Sequence, residues 1–442
     1  MPPQIDREAA ARAVCAVLRE AGHRALLAGG CVRDRLLGRN PKDYDIATSA
    51  TPEEVAGLFP RTVPVGAAFG VTLVVWNGIP FEVAAFRSDG PYLDGRRPQS
   101  VSRGDERADA LRRDFTVNAL FLDPETDRVL DYVGGTEDLE RRLIRAVGDP
   151  ERRFAEDRLR MLRAVRFTAE LGFDLDPATR NAATRMAHRL HEGVSAERVR
   201  EELVKMLTCG AAGRALRLLD GTGLLGQILP EVTAMRGVAQ PPEYHPEGDV
   251  LTHTLMMMDR LPAGCPPTLA MGALFHDAGK PSTQTHEDRI RFNLHEKVGA
   301  RLAEAACRRL RFTNEETARI TWLVARHMRA GCIPEMREGK RRLFAAEPGF
   351  GELLELFRLD CAASHGDQST TEWVENYLRS LPEPEAAPQC PVTGHDLIAL
   401  GLKPGPQFRE ILGELREGFI EGRFTSKEEA IALLAERLDG KG

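Results

Sequence analysis

Two aspartates one residue apart, Asp43 and Asp45 in "PKDYDIAT", are the first residues along the chain placed for chemistry. A strand sends alternate side chains to opposite faces, so both carboxylates project one way while Tyr44 and Ile46 point the other. Like charges held so close repel, and the pairing makes sense with a cation between them. Just upstream, "LLAGGCVRDRLLG" reads as a strand running into Gly29–Gly30 and then into a helix. Such a turn lets the backbone approach a phosphate, the free N–H groups of the helix start bind it, and Arg33 in the first turn adds a charge-assisted bond. Glu82, in the strand-like "FEVAAF", is a candidate third carboxylate; a solvated strand residue is an equally good reading of it. Carboxylates gripping Mg²⁺ beside a phosphate cradle suit phosphoryl or nucleotidyl transfer, where one metal activates a hydroxyl and the other stabilises the leaving pyrophosphate.

A second constellation lies downstream. It comprises His253 in "DVLTHTL", the adjacent His276 and Asp277 in "LFHDAGKP", then His295, His327 and Asp360. Imidazole and carboxylate ligands suit Mn, Fe, Ni, Co or Zn, and a metal pair can activate water against a phosphate ester. His188, His191, His286 and His365 read as ordinary helix or loop residues, and His245 as a weak candidate ligand. The methionines of "LMMMDRL" read as core filler.

The elements that must position these residues divide the chain. Its 442 residues, 42% hydrophobic and 29% charged, are ample for several cores. A net charge of −6 excludes a surface that is basic throughout, so any nucleic-acid contact is local. Arg141, Arg142, Arg145, Arg152, Arg153, Arg158, Arg163 and Arg166 supply one such cluster, although the interleaved acids also fit a solvated helix face. None of the 8 cysteines forms a C-x-x-C pair, which disfavours zinc-ribbon and redox readings. Neither a leader core nor a membrane span is apparent, so the expected location is the cytoplasm.

Helices and short strands alternate over 1–135, with "FTVNALFLD" read as a strand. A helical segment follows over 136–230, with "EDRLRMLRAVRFTAELGF" read as one helix. A proline-rich break near 231 opens a histidine-bearing helical domain over 231–380. A further linker, "LPEPEAAPQCP", leads to a helical tail over 391–442. The expected fold class is α+β: a small mixed-sheet head followed by all-α neck, histidine-bearing and tail domains.

"LLAGGCVRDRLLGRNPKDYDIAT" resembles the signature of the class II tRNA nucleotidyltransferase and bacterial poly(A) polymerase superfamily. "LRRDFTVNALFLDP" resembles the family segment that contacts the ribose and shapes the pocket, which implicates Arg112, Arg113, Asp114 and Asn118. "DYVGG" resembles the family hinge. "EDRLRMLRAVRF" resembles its protein template for the incoming base, with Glu156, Asp157 and Arg160 in the E-D-x-x-R positions. On one helix Asp157 and Arg160 would share a face and offer acceptors and donors to a base edge; an exposed helical ion pair is the plainer reading. "SAERVREELVKML" resembles the last neck motif. The polar run "FRSDGPYLDGRRP", with Asp94, Arg96, Arg97 and Pro98, falls where tRNA-adding members carry a flexible loop, which makes adenosine addition plausible. "VGAAFGVTLVV" looks more like the tRNA-adding branch than the poly(A) branch. The histidine-bearing domain looks like an HD phosphohydrolase, with His295 and His327 matching the extra histidines of two-metal versions, and "GLKPGP" resembles the tail of HD-bearing members.

The resemblance implies addition of CCA, or of its terminal A, to tRNA from CTP and ATP. Asp43 and Asp45 then hold Mg²⁺, and Gly29, Gly30, Arg33, Arg112, Arg113, Asp114, Asn118, Asp157, Arg160, Arg163 and Arg166 hold the nucleotide. His253, His276, Asp277, His295, His327 and Asp360 take a transition metal. Rival readings are a poly(A) polymerase, a phosphohydrolase whose head only binds RNA, and an RNA-binding factor with two inactive sites. The sequence leaves oligomeric state open.

Overall fold

The computed structural model describes residues 6–64, 70–90, 100–241, 245–246, 248–286, 289–381 and 390–439. Asp94, Arg96, Arg97 and Pro98 of the polar run lie outside them, as do residues 65–69 of "VGAAFGVTLVV" and most of the 381–391 linker. The chain divides into two compact units. One comprises Met1–Thr233, Leu261–Gly264 and Arg309–Phe312, and the other comprises Ala234–Arg260, Cys265–Arg308 and Thr313–Gly442.

The first unit begins with helix α1 (Arg7–Glu20), capped by the Asp6 side chain on the N–H groups of Glu8 and Ala9. A seven-stranded mixed sheet follows, in spatial order β3-β4-β5-β2-β1-β8-β9. Its strands are β1 (Ala25–Ala28), β2 (Asp45–Thr48), β3 (Thr62–Pro64), β4 (Val71–Trp76), β5 (Ile79–Ala85), β8 (Phe121–Leu122) and β9 (Val129–Leu130). A separate hairpin, β6 (Arg87–Asp89) with β7 (Val101–Arg103), flanks the 91–99 segment. Helix α2 (Gly30–Leu36) leaves β1. Helix α3 (Pro52–Leu58) starts at a Thr51 cap with Pro52 at its first position, as its sequence predicts, and Glu54 closes a reciprocal capping box. Helix α4 (Glu106–Arg112) starts at the Asp105 cap.

Register sets the chemistry. Antiparallel pairing of β1 with β2 puts Ala28 opposite Asp45, so Gly29 leaves β1 beside that aspartate. Parallel pairing of β2 with β5 puts Ile46 opposite Val83, which brings Glu82 alongside Asp45. Asp43 and Asp45 are exposed and Tyr44 and Ile46 buried, but β2 starts only at Asp45, with Asp43 and Tyr44 ahead of it, and Ile46, Ala47 and Thr48 are all buried, so the two aspartates do not share a strand face as the sequence suggests.

Two further sequence expectations fail locally. "FTVNALFLD" is chiefly a 3₁₀ turn over Thr116–Asn118, with only Phe121–Leu122 in the sheet. Phe115 makes a single antiparallel bridge to Ala146, through the Thr116 N–H on the Arg145 carbonyl, and the run then turns as the Thr116 hydroxyl donates to the buried Asp138 carboxylate. "EDRLRMLRAVRFTAELGF" is not one helix: after α5 (Gly135–Glu140), α6 (Pro150–Glu156) ends and α7 (Leu159–Leu171) begins two residues past Asp157. Asp157 adopts φ −150°, ψ 107°, and its carboxylate accepts the Leu159 N–H, so a side-chain bond replaces helix continuation. Helices α9 (Ala196–Thr208) and α10 (Ala212–Gly221) pack against α7, and α8 (Pro177–Met186) packs against α6.

Phe115, fully buried, meets Phe167 of α7 edge-on at 5.8 Å, tying the sheet end to the helices. Phe115→Ala is expected to cost about 3–5 kcal/mol, read as a lowered midpoint in urea unfolding of this unit.

Among its described residues the second unit has one hairpin, Gln284–His286 with Ile290–Phe292, and its other regular elements are helices. Helices Val250–Met258, Pro267–Phe275, His295–Arg309, Asn314–Ala330 and Phe350–Ala363 surround the histidines. Pro267–Phe275 is apolar all round, with Leu269 through Phe275 buried, which suits a central helix. The last helices, Gly394–Ala399, Pro406–Ile420 and Lys427–Asp439, enclose a small core of their own built on Leu397, Leu415, Phe424 and Leu434.

Candidate active site

Within the first unit a cleft of about 1180 Å³ runs between the end of β1 and helices α7 and α9. Gly29, Gly30, Arg33, Asp43, Asp45, Arg112, Arg113, Asp114, Asn118, Asp157, Arg160, Arg163 and Arg166 all line it. Of the residues expected here, Glu82 stands beside Asp45 on the neighbouring strand rather than among the lining residues.

Gly29 sits at φ +73°, and a Cβ there would lie 2.9 Å from Nη1 of Arg113. Both the backbone conformation and the close approach therefore demand glycine. The Asp45 carboxyl is pushed up to about 6, by desolvation in the cleft first and then by the charge of Glu82, with Arg113 opposing. Accessible to solvent yet crowded by like charge, it is a ready ligand for a divalent cation. Arg7 reaches Asp43 at 3.4 Å, an exposed pair of little energetic weight.

The arginines are held by carboxylates behind or beside them. Arg33 donates to Asp34 at 2.8 Å and to the Asn118 side-chain oxygen at 2.6 Å. Asp114 accepts from Arg163 at 2.7 Å and from the Phe115 N–H at 2.8 Å. Burial alone would raise the Asp114 carboxyl, but the charges of Arg163 and Arg160 outweigh it and hold the group below the usual carboxylate range. Arg166 donates to the buried Glu202 at 2.6 Å and lies 3.9 Å from the Phe167 ring centre. Asp157 and Arg160 do not pair on one helix face. Arg160 bonds Glu156 at 2.8 Å and the Arg112 carbonyl at 3.1 Å, whereas Asp157 takes Arg198 of α9 at 2.7 Å. Arg198, Glu202 and Asp109 were not singled out from the sequence. For Arg198 the missing signal is the helix break, which turns Asp157 toward α9.

In the second unit the histidine Nε2 atoms converge. His295 and His327 face each other at 3.2 Å, and Oδ1 of Asp277 lies 3.5 Å and 3.9 Å from them. His253 is 3.0 Å from Asp360, and His276 is 3.2 Å from Asp277 and 4.0 Å from Asp360. Nδ1 of His276, His295 and His327 donates to the carbonyls of Ala273, Phe292 and Val324, each at 2.8 Å. That fixes the tautomer and leaves Nε2 as the ligating atom. Two such acceptors facing each other need an electrophile between them, and the buried Nε2 of His276 has no hydrogen-bond partner among the described residues. Two ligand groups emerge, His253–His276–Asp277 and Asp277–His295–His327. The residues fit a metal-binding site, and Asp360 joins the cluster through both His253 and His276. Burial first, then the charges of His276 and His295, lower His327 to about 4, which favours the neutral imidazole a metal needs. The His245 ring lies 4.9 Å from that of His253, outside both ligand groups.

Comparison with known proteins finds three family models along the chain. A poly A polymerase head domain matches residues 25–145, the "Probable RNA and SrmB- binding site of polymerase A" matches 172–236, and an HD domain matches 249–348. The chain is therefore of the polymerase-head class that carries an HD domain. A CCA-adding enzyme of Levilactobacillus brevis is 32% identical over 425 residues, covering 95% of this chain and 96% of that protein. The chain belongs to the CCA-adding enzyme family. A CCA-adding enzyme of Geobacillus stearothermophilus is 49% identical over 209 residues, 47% of this chain and 51% of that protein, so this match spans about half of the relative's length. The crystal structure of the Bacillus stearothermophilus CCA-adding enzyme in complex with CTP superposes with a TM-score of 0.73 at 29% identity, covering 100% of this chain and 99% of that one. Family and fold agree with the α+β expectation. Among the described residues no helix is long and apolar enough to cross a membrane.

Proposed function

We propose that the protein adds CCA to the 3′ ends of tRNA without a nucleic-acid template, using CTP and ATP, in the cytoplasm. The observation that carries this reading is the convergence of the glycine turn, Asp43 and Asp45 on an arginine-lined cleft of about 1180 Å³. That exceeds the roughly 300–1,000 Å³ of ordinary small-ligand pockets and suits a nucleotide together with an RNA end. Asp43 and Asp45, with Glu82 adjacent, hold Mg²⁺, which when bound supplies Lewis-acid stabilisation of the transferring phosphoryl group. Gly29, Gly30, Arg33 and Arg113 receive the triphosphate. Arg112, Asp114 and Asn118 border the ribose, and Asp157 and Arg160 read the base, with Arg163 and Arg166 on the wall behind. The domains follow as head 1–135, neck 136–230, HD domain 231–380 and tail 391–442.

Incorporation is measured on tRNAs ending at the discriminator base, at C and at CC, each with CTP, ATP or both. Ordered addition of C, C and A that then stops is expected. Extension of the CC-ended tRNA alone, by ATP, would make this an A-adding enzyme, and unlimited A addition to any RNA would make it a poly(A) polymerase.

Arg198 orients the base-reading carboxylate. Arg198→Ala is expected to lower kcat/KM for CTP and ATP by about 10–100-fold, the worth of a charged hydrogen bond, and to admit UTP. Single-nucleotide incorporation with each NTP reads both effects.

The HD site takes Mn, Ni, Co, Fe or Zn and hydrolyses a phosphoester at RNA ends, 2′,3′-cyclic phosphate or 2′-phosphate. Its support is the paired ligand groups sharing Asp277. His276→Ala leaving that hydrolysis intact would reject the reading.

A further inference from the structure

Asp109 of α4 is buried, with only 1% of its surface exposed, and it does not line the cleft. It nevertheless grips two guanidiniums that do. Its Oδ1 accepts Nε of Arg112 at 2.8 Å and also that residue's Nη2. Its Oδ2 accepts Nε and Nη2 of Arg113 at 3.1 and 2.9 Å. The i, i+3 and i, i+4 spacing on α4 and its end lets one carboxylate serve both arginines. The free end of Arg113 is also fixed: Nη1 donates to the Asn118 carbonyl at 3.1 Å, and the guanidinium lies 4.9 Å from the Phe121 ring centre. That Nη1 stands next to Gly29, and its charge reaches Asp45. Arg113 thus occupies the space between the glycine turn and the carboxylates, where a triphosphate tail fits.

Resting on the nucleotidyl-transfer reading above, we propose that Asp109 is a positioning residue for the incoming nucleotide's phosphates, acting through Arg112 and Arg113. One carboxylate against two guanidiniums leaves a net positive charge facing the cleft, so the anchor orders the arginines without cancelling their attraction for a polyanion. Arginine side chains are rich in rotamers, and fixing them before the ligand arrives removes an entropic cost from binding. The neighbouring acids Asp34 and Asp114 line the cleft themselves, so burial behind the lining separates Asp109 from them.

The test uses the full chain with Mg²⁺ and compares wild type, Asp109→Asn, Arg113→Ala and the double variant. Calorimetry gives affinities for CTP and for inorganic tripolyphosphate, and C addition to a CCA-less tRNA gives kcat and KM. Asp109→Asn is expected to weaken both ligands by about tenfold or more and to raise KM in step, with kcat within about threefold. The double variant is expected to bind worse than Arg113→Ala by less than the full Asp109→Asn loss, because part of that loss runs through Arg113 and only the remainder through Arg112. Asp109→Glu, which keeps the charge one methylene further out, is expected to recover part of the affinity and covers the case in which the asparagine variant fails to fold. Unchanged affinities with a lowered melting temperature would overturn the proposal in favour of a purely structural role, as would additive losses in the double variant. If wild type binds tripolyphosphate and the variants weaken it, yet no nucleotide is incorporated, the anchor stands and the transferase reading fails.

Discussion

Asp45→Ala is expected to lower nucleotide incorporation by about three orders of magnitude or more, the scale on which transition-state charge stabilisation is lost when a metal site is broken. CTP binding should fall far less, because Gly29, Arg33 and Arg113 remain in the cleft. The variant should also melt no lower than wild type in the absence of metal. Asp45 is crowded by Glu82 and Asp43, so removing its charge relieves repulsion instead of breaking a pair. Single-turnover C addition, a CTP titration and a melting curve on one preparation read all three. A variant with normal turnover would move the catalytic centre away from β2. A variant that simply unfolds would make Asp45 a structural residue.

The HD site predicts the opposite balance of function and stability. Asp277 is the shared member of both ligand groups and also the partner of the buried Lys280 at 2.7 Å. Lys280 further donates to the Gln240 side-chain oxygen at 2.7 Å and lies 5.3 Å from the Phe292 ring centre. Asp277→Ala is expected to abolish tight metal retention and to cut phosphoester hydrolysis by about 10³-fold, as loss of a metal ligand does. It also strands the Lys280 ammonium, a loss of about 3–5 kcal/mol for a buried charge without its counter-ion. Lys280→Met in the same chain removes the stranded charge, so the double variant should recover stability but neither metal nor hydrolysis. Metal content after dialysis, hydrolysis of a 2′,3′-cyclic phosphate and thermal unfolding separate the two roles. CCA addition by Asp277→Ala at a temperature where it stays folded should match wild type. Retained hydrolysis would show that chemistry in this unit does not run through the histidine cluster.

The contrast between the two aspartates follows from their surroundings. Asp45 sits in a solvent-accessible, electronegative spot that only a cation relieves. Asp277 lies against the buried Lys280 ammonium in the histidine cluster, and its carboxyl is held well below the ordinary range: burial opposes ionisation, but the charges of His276 and Lys280 outweigh it.

The sequence by itself determined whatever depends on neighbours a few residues apart. The glycine turn, the Thr51 cap and the adjacent His276–Asp277 are each written in contiguous residues, and the structure has each of them, whereas β2 begins only at Asp45 and leaves Asp43 outside the strand. The resemblance carried the order of the motifs, because each is a contiguous run. Tertiary structure decided which side chains pair. Asp157 was read on a helix with Arg160, yet the helix breaks there, and Asp157 finds Arg198 on α9 while Arg160 turns back to Glu156. No local period anticipates that, because a single carboxylate accepting the Leu159 N–H competes with a helical bond of similar strength, and packing settles the outcome. Asp109 and Glu202 were overlooked for a related reason. In sequence they are ordinary helical acids, and only burial behind an arginine wall turns them into anchors. Parallel pairing of β2 with β5, which places Glu82 beside Asp45, was likewise invisible, since register between distant strands is set by the sheet as a whole.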